Sequence, residues 1–160
     1  MTEATFRPLD SLQVMAYIIQ RCKQLQTPFL NTTKLQKLMY CCYGTCLAKC
    51  GYRLCDESPE AWQYGPVFPR TLRTLQCWGY EWLAEHLTED VAEQLPQEVV
   101  ALIDATLKTF GKFAANQLSN WTHIKGSPWS VASKDGAVLK EQISDALISE
   151  YFKKHVLKHS

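Results

Sequence analysis

The stretch from Asn31 to Gly51 constrains this chain most. Asn31 or Thr32 presents a side-chain oxygen that can accept from an otherwise orphan backbone N–H at a helix start. Gly51 can take the left-handed backbone that ends a helix. Between them Leu35, Leu38, Met39, Cys42, Cys46 and Cys50 recur at helical spacing and form one broad apolar face. The uncharged run inside this segment, between Lys37 and Lys49, is shorter than the roughly 20 residues that span a bilayer. The helix is therefore expected to lay that face against other elements of a globular fold, and no membrane is expected as a partner.

The remaining pattern supplies those elements. Leu12, Met15, Ile19, Cys22 and Leu25 predict a first helix from about Leu9 to Leu25, interrupted at Thr27-Pro28. From Gly51 to Pro69 the texture changes. Tyr52–Cys55 and Glu60–Tyr64 read as two short extended segments around a turn at Asp56–Pro59, ended by Gly65-Pro66. Leu72, Leu75 and Trp78 predict a third helix closing near Gly79. Pro96 suits the first turn of a fourth, which carries Val99, Leu102, Ile103, Thr106, Leu107 and Phe110 to Gly111. Gln117–His123 reads as a short fifth helix, Ser127 and Pro128 restart the chain, and Ile143, Ala146, Leu147 and Tyr151 mark a last helix. The expected fold is mainly α, a single compact helical domain of about six helices with a small β-hairpin between the second and third helices. A length of 160 residues fits one domain, residues 1–160 with a core of about 9–152.

Charge and motif content narrow the function by exclusion. Lys and Arg total 17 against 16 for Asp and Glu, a net charge of +1, whereas proteins that neutralise phosphates show a basic patch or stripe. Lys153-Lys154 and Lys158 read as a solvated helix end, and nucleic acid is not expected as a partner. Met1–Arg7 lacks the charged-then-apolar layout of a signal peptide, so a cytoplasmic location is expected. The seven cysteines (22, 41, 42, 46, 50, 55 and 77) are odd in number and crowd the helical segment, as reduced thiols acting as small core residues would. The competing reading is a small metal-dependent regulator or enzyme built on Cys42, Cys46, Cys50 and His123. Structural zinc sites pair their ligands at short spacing in two places, and no second pair with that spacing appears. Nor is there a Gly-x-Ser-x-Gly elbow, a Gly-rich phosphate loop or a His-Glu-x-x-His motif. No catalytic residue, metal or cofactor is expected.

Aromatic residues form the remaining constellation. Trp62, Tyr64, Trp121 and Trp129 lie among glycines and prolines. Taken singly each is a core candidate, but an irregular hairpin carrying Trp-x-Tyr-Gly-Pro is also a recognition surface, because rigid rings bind at low entropy cost.

Three segments together resemble one family. They are Lys34-Leu35-Gln36-Lys37-Leu38-Met39-Tyr40, then Glu60-Ala61-Trp62-Gln63-Tyr64-Gly65-Pro66-Val67-Phe68-Pro69, then Leu118-Ser119-x-x-Thr122-His123-x-x-Gly126-Ser127-Pro128-Trp129, followed by Ile143 and Tyr151-Phe152. Their order is similar to that of the Panacea, or SocA-like antitoxin, domain. The resemblance implies an antitoxin of a bacterial or prophage toxin–antitoxin pair that neutralises a cognate toxin, encoded by a neighbouring gene, through direct protein–protein binding. The alternative it implies is an adaptor that delivers the toxin to a Clp-type protease. Many relatives carry an added DNA-binding segment, and none is visible here. The family supplies no catalytic residues. The partner-binding residues expected on this chain are Trp62, Gln63, Tyr64, Gly65, Pro66, Trp121 and His123.

Overall fold

A computed structural model describes residues 8–86 and 94–157. The second helix forms where its end signals predict, over Thr32–Cys50 (α2), with Asn31 Oδ1 accepting from Lys34 N at 2.8 Å and Gly51 left-handed at φ +83°. Its burial exceeds the one broad face expected, since every residue from Lys34 to Leu47 is buried. Ser11–Gln24 (α1), Gln97–Phe110 (α5), Ala115–Thr122 (α6) and Asp145–His155 (α8) pack around it. α8 crosses at Gly44, where a Cβ would lie 2.4 Å from ring carbons of Phe152, so only the bare glycine admits that ring. α2 is thus the axis of one continuous apolar core that includes Met15, Ile19, Leu38, Tyr43, Ile103 and Phe152.

Burying a helix on all sides obliges its polar residues to find partners. Lys34 Nζ donates to Gly111 O at 2.6 Å and Pro28 O at 2.5 Å, tying α2 to the chain just past α5. Thr45 Oγ1 donates to Cys41 O at 2.7 Å. The thiols of Cys22, Cys41, Cys42, Cys46 and Cys55 are buried and unlinked, and burial pushes each pKa up.

The hairpin lies between the second and third helices, as expected, but with different strands. Glu60–Trp62 (β1) pairs antiparallel with Gly65–Val67 (β2), and Glu141–Gln142 (β3) adds to the other side of β1. The turn is therefore Gln63-Tyr64 and not Asp56–Pro59. Pro66, with no N–H to donate, sits opposite Ala61, whose carbonyl faces the other way and accepts from Lys140 N at 2.7 Å. Tyr52–Cys55 instead folds back to the start of the chain, with Leu9 N donating to Leu54 O at 3.2 Å and Asp56 N to Leu9 O at 2.9 Å.

Eight helices are formed among the described residues. Beyond the about six expected and the restart at Ser127-Pro128, the addition is Tyr80–His86 (α4), which restarts directly after Gly79 closes Pro69–Trp78 (α3), while Pro128–Ser133 forms α7. α7 is the restart signalled by Ser127-Pro128, with Ser127 Oγ accepting from Ser130 N at 3.2 Å. The start of α3 has no cap from its own flanking residue, Phe68. The buried carboxylate of Glu57 does the capping, accepting from Arg70 N at 2.7 Å, Thr71 N at 3.1 Å and the Thr71 hydroxyl. This bond set fixes the angle at which the chain leaves the hairpin.

Candidate functional site

The β1–β2 turn is held by its own backbone carbonyls. Trp129 Nε1 donates to Trp62 O at 2.7 Å, Ser119 Oγ to Tyr64 O at 2.7 Å, and Lys37 Nζ to Pro66 O at 3.2 Å. His123 Nε2 lies 2.9 Å from Gln63 O, while its Nδ1 lies 2.6 Å from Ser119 O. Both oxygens accept, so each contact is a hydrogen bond when that nitrogen carries a proton, and a neutral ring serves one of them at a time. The imidazole rests against the Trp129 indole with ring centroids 4.0 Å apart. Four carbonyls in a five-residue segment are thus gripped by side chains from α2, from α6 and its C-cap, and from α7.

These grips decide what the hairpin exposes. Tyr64 stands 66% exposed at the turn, beside exposed Gln63. Trp62 is half-buried, its Nε1 donating to Glu60 Oε1 at 2.9 Å and its ring lying 5.0 Å from Lys140 Nζ. Gly65 and Pro66 are buried. Gly65 has φ +118°, and a Cβ there would lie 2.7 Å from both Lys37 Cε and Thr122 Oγ1. That position requires glycine on two counts, backbone conformation and space.

Five hairpin residues and His123 therefore come together, whereas Trp121 does not join them. Its ring packs against Phe110, Tyr151 and Phe152 at centroid distances of 5.5, 6.4 and 5.9 Å. It lines a separate cavity of about 570 Å³ with Thr45, Lys49, Leu102 and His155. Trp129, absent from the expected binding residues, is buried as the donor to Trp62 O. Among the described residues no three His, Cys, Asp or Glu side chains converge on a point where a metal ion could sit.

A second cavity, of about 260 Å³, opens beside the hairpin and is lined by Gln36 and Lys37 together with Trp62, Tyr64, Val67 and Leu72. Gln36 and Lys37 are 1% and 2% exposed. Gln36 Oε1 accepts from Phe68 N at 2.7 Å, which leaves Nε2 buried with no partner. Desolvation lowers the Lys37 ammonium to about 8, against a small opposing effect of Cys41. The sequence context of Gln36 and Lys37 marks neither as functional. The signal that could have found them is two polar residues, adjacent in sequence, on a helix that the rest of its composition buries.

No solved structure matches the chain. Among curated proteins, Antitoxin SocA of Caulobacter vibrioides (strain NA1000 / CB15N) is 27% identical over 157 residues, covering 91% of this chain and 83% of the relative. The model of the SocA-like antitoxin, Panacea domain family matches residues 35–130. That span includes α2 from Leu35 onward, which carries the core, and every residue whose side chain grips the hairpin turn, from Lys37 to Trp129. The chain belongs to the SocA-like antitoxin, Panacea domain family.

Proposed function

We propose that the chain is a non-enzymatic antitoxin acting in the cytoplasm, and that it neutralises a cognate protein toxin encoded by a neighbouring gene through direct binding to the hairpin face. Family membership supports the antitoxin role. The observation that carries the choice of surface is the exposed Tyr64 on a turn whose carbonyls are held by Trp129, His123, Ser119 and Lys37. An aromatic on a pre-ordered backbone loses little entropy when it docks, and tyrosine and tryptophan are enriched among interface anchors. Trp62 and Gln63 extend the same face.

Co-expression with the product of the adjacent open reading frame tests this. The neighbour is expected to arrest growth alone, to be harmless with the parent chain, and to co-purify with it. A neighbour that is equally lethal with and without the chain overturns the reading. Occlusion predicts that the toxin's half-life stays level or rises in the presence of the antitoxin. A fall in that half-life would replace occlusion with proteolytic delivery.

A further inference from the structure

Two buried side chains lining the cavity beside the hairpin carry N–H groups that lack an acceptor. Lys37 Nζ carries three N–H groups, of which one reaches Pro66 O at a long 3.2 Å. Gln36 Nε2 carries two, and neither has a partner. Adjacent residues on a helix ordinarily point apart. Here both side chains turn to the same stretch of chain, Gln36 to Phe68 N just past β2 and Lys37 to Pro66 O within it, and both line the same space. No Asp or Glu is among the described residues lining it. A buried ammonium with no counter-ion is costly, as is a buried amide with no acceptor, and a single anionic acceptor group relieves both.

The cavity suits a side chain better than a free metabolite. At about 260 Å³ it is smaller than the roughly 300–1,000 Å³ of small-molecule sites. Half-buried Trp62 and exposed Tyr64, the aromatics of the proposed partner-binding face, form part of its wall. A protein docked on Tyr64 would cover this opening.

We propose that the cavity receives a carboxylate side chain of the bound toxin, whose oxygens accept from Lys37 Nζ and Gln36 Nε2. The proposal rests on the hairpin reading above and names the chemistry the partner must present. It makes Lys37 a specificity residue: an unpaired buried ammonium weakens the free antitoxin and is neutralised by the correct partner. A partner offering an apolar or basic group at that point leaves the charge buried and unpaired, which is a strong means of rejection.

Two measurements test it. In the full chain labelled with ¹³C-lysine, with the Lys37 signal assigned by Lys37→Arg, acetate replaces chloride at matched ionic strength. The Lys37 titration midpoint is expected to rise by about half a pH unit or more in acetate, because a carboxylate favours the charged form. An identical midpoint in both salts overturns the proposal. In the second, the adjacent gene product is titrated with parent, Lys37→Met and Lys37→Arg chains. Lys37→Met is expected to lose about tenfold or more in affinity, in line with a lost charge-assisted bond, while melting no lower than the parent. Lys37→Arg is expected to recover part of that loss. Affinity unchanged in Lys37→Met overturns the carboxylate pocket and leaves hairpin binding standing. If the parent chain itself fails to bind, the hairpin reading falls, and the toxin falls with it as the source of the carboxylate.

Discussion

The indole N–H of Trp129 donates to the carbonyl oxygen of Trp62 across 2.7 Å, joining positions 67 residues apart. This bond places α7 under the hairpin and makes two tryptophans of the family-like segments serve opposite ends of one interaction. Trp62 offers its backbone inward and part of its ring outward, while Trp129 is buried at 6% exposure. The proposed recognition surface is accordingly built on a core residue.

Substituting Trp129 separates packing from hydrogen bonding. Trp129→Phe keeps an aromatic in place and removes the donor, and is expected to cost about 1–3 kcal/mol because the Trp62 carbonyl loses its partner. Trp129→Ala is expected to cost about 3–5 kcal/mol by adding a cavity. Urea unfolding followed by far-ultraviolet circular dichroism gives both values. A Phe variant as stable as the parent would show that the bond contributes nothing net.

Gly65→Ala is expected to destabilise the chain by about 2–5 kcal/mol, combining backbone strain at φ +118° with overpacking against Lys37 and Thr122. The melting temperature should fall by several degrees, at about 2–4 °C per kcal/mol for a domain of this size. A variant that melts with the parent would mean that the hairpin can shift away from α2 at little cost.

Tyr64→Ala tests the surface with the fold left intact. With the side chain 66% exposed, its loss should change stability by no more than about 0.5 kcal/mol. Its effect on toxin binding should be at least about tenfold if it is an anchor. Trp62→Ala is expected to weaken binding too, with a larger stability loss because half of the ring is buried. Calorimetric titration alongside thermal melting distinguishes the two variants.

The buried ammonium predicts a pH dependence of known sign. Lys37 titrates at about 8 in the folded chain against an ordinary 10.5, so between those values the unfolded chain binds a proton that the folded chain does not. Stability from this group is therefore fully present above 10.5 and is lost as pH falls through 8, a difference of about 3 kcal/mol. The neighbouring Cys41 thiol, raised by burial, acts in the opposite direction above its ordinary range, and Tyr64 is the other titratable group lining the cavity. Comparing parent with Lys37→Met at each pH isolates the lysine. The variant's advantage should be largest near pH 7 and shrink toward pH 10, and a pH-independent difference would contradict the assignment.

Thiol reactivity should follow burial. Cys77 is exposed and Cys50 half-buried, whereas burial raises the pKa of the other five. Under native conditions a disulfide reagent is expected to modify Cys77 first and the five buried thiols only on unfolding. Rapid modification of Cys42 or Cys46 would show that α2 opens locally.

What the sequence determined by itself is what short-range chemistry decides. Helix starts at Asn31 and Ser127, the stop at Gly51, and the apolar spacing of α1, α2 and α5 depend on bonds that close within a few residues, so they are legible in one dimension. Fold class followed from them, and the three ordered segments carried the family. Tertiary structure decided everything whose partner lies far along the chain. Glu60–Trp62 pairs with Gly65–Val67 and with Glu141–Gln142, while Tyr52–Cys55 turns back to Leu9. Trp121 goes into the aromatic cluster with Phe152, and Trp129, eight positions on, goes under the hairpin. Lys37 lies outside the apolar face read from the sequence and is 2% exposed because elements from both halves of the chain close around α2. A side chain's environment is set by every element that packs against it, and the sequence near Lys37 holds only the helix that carries it.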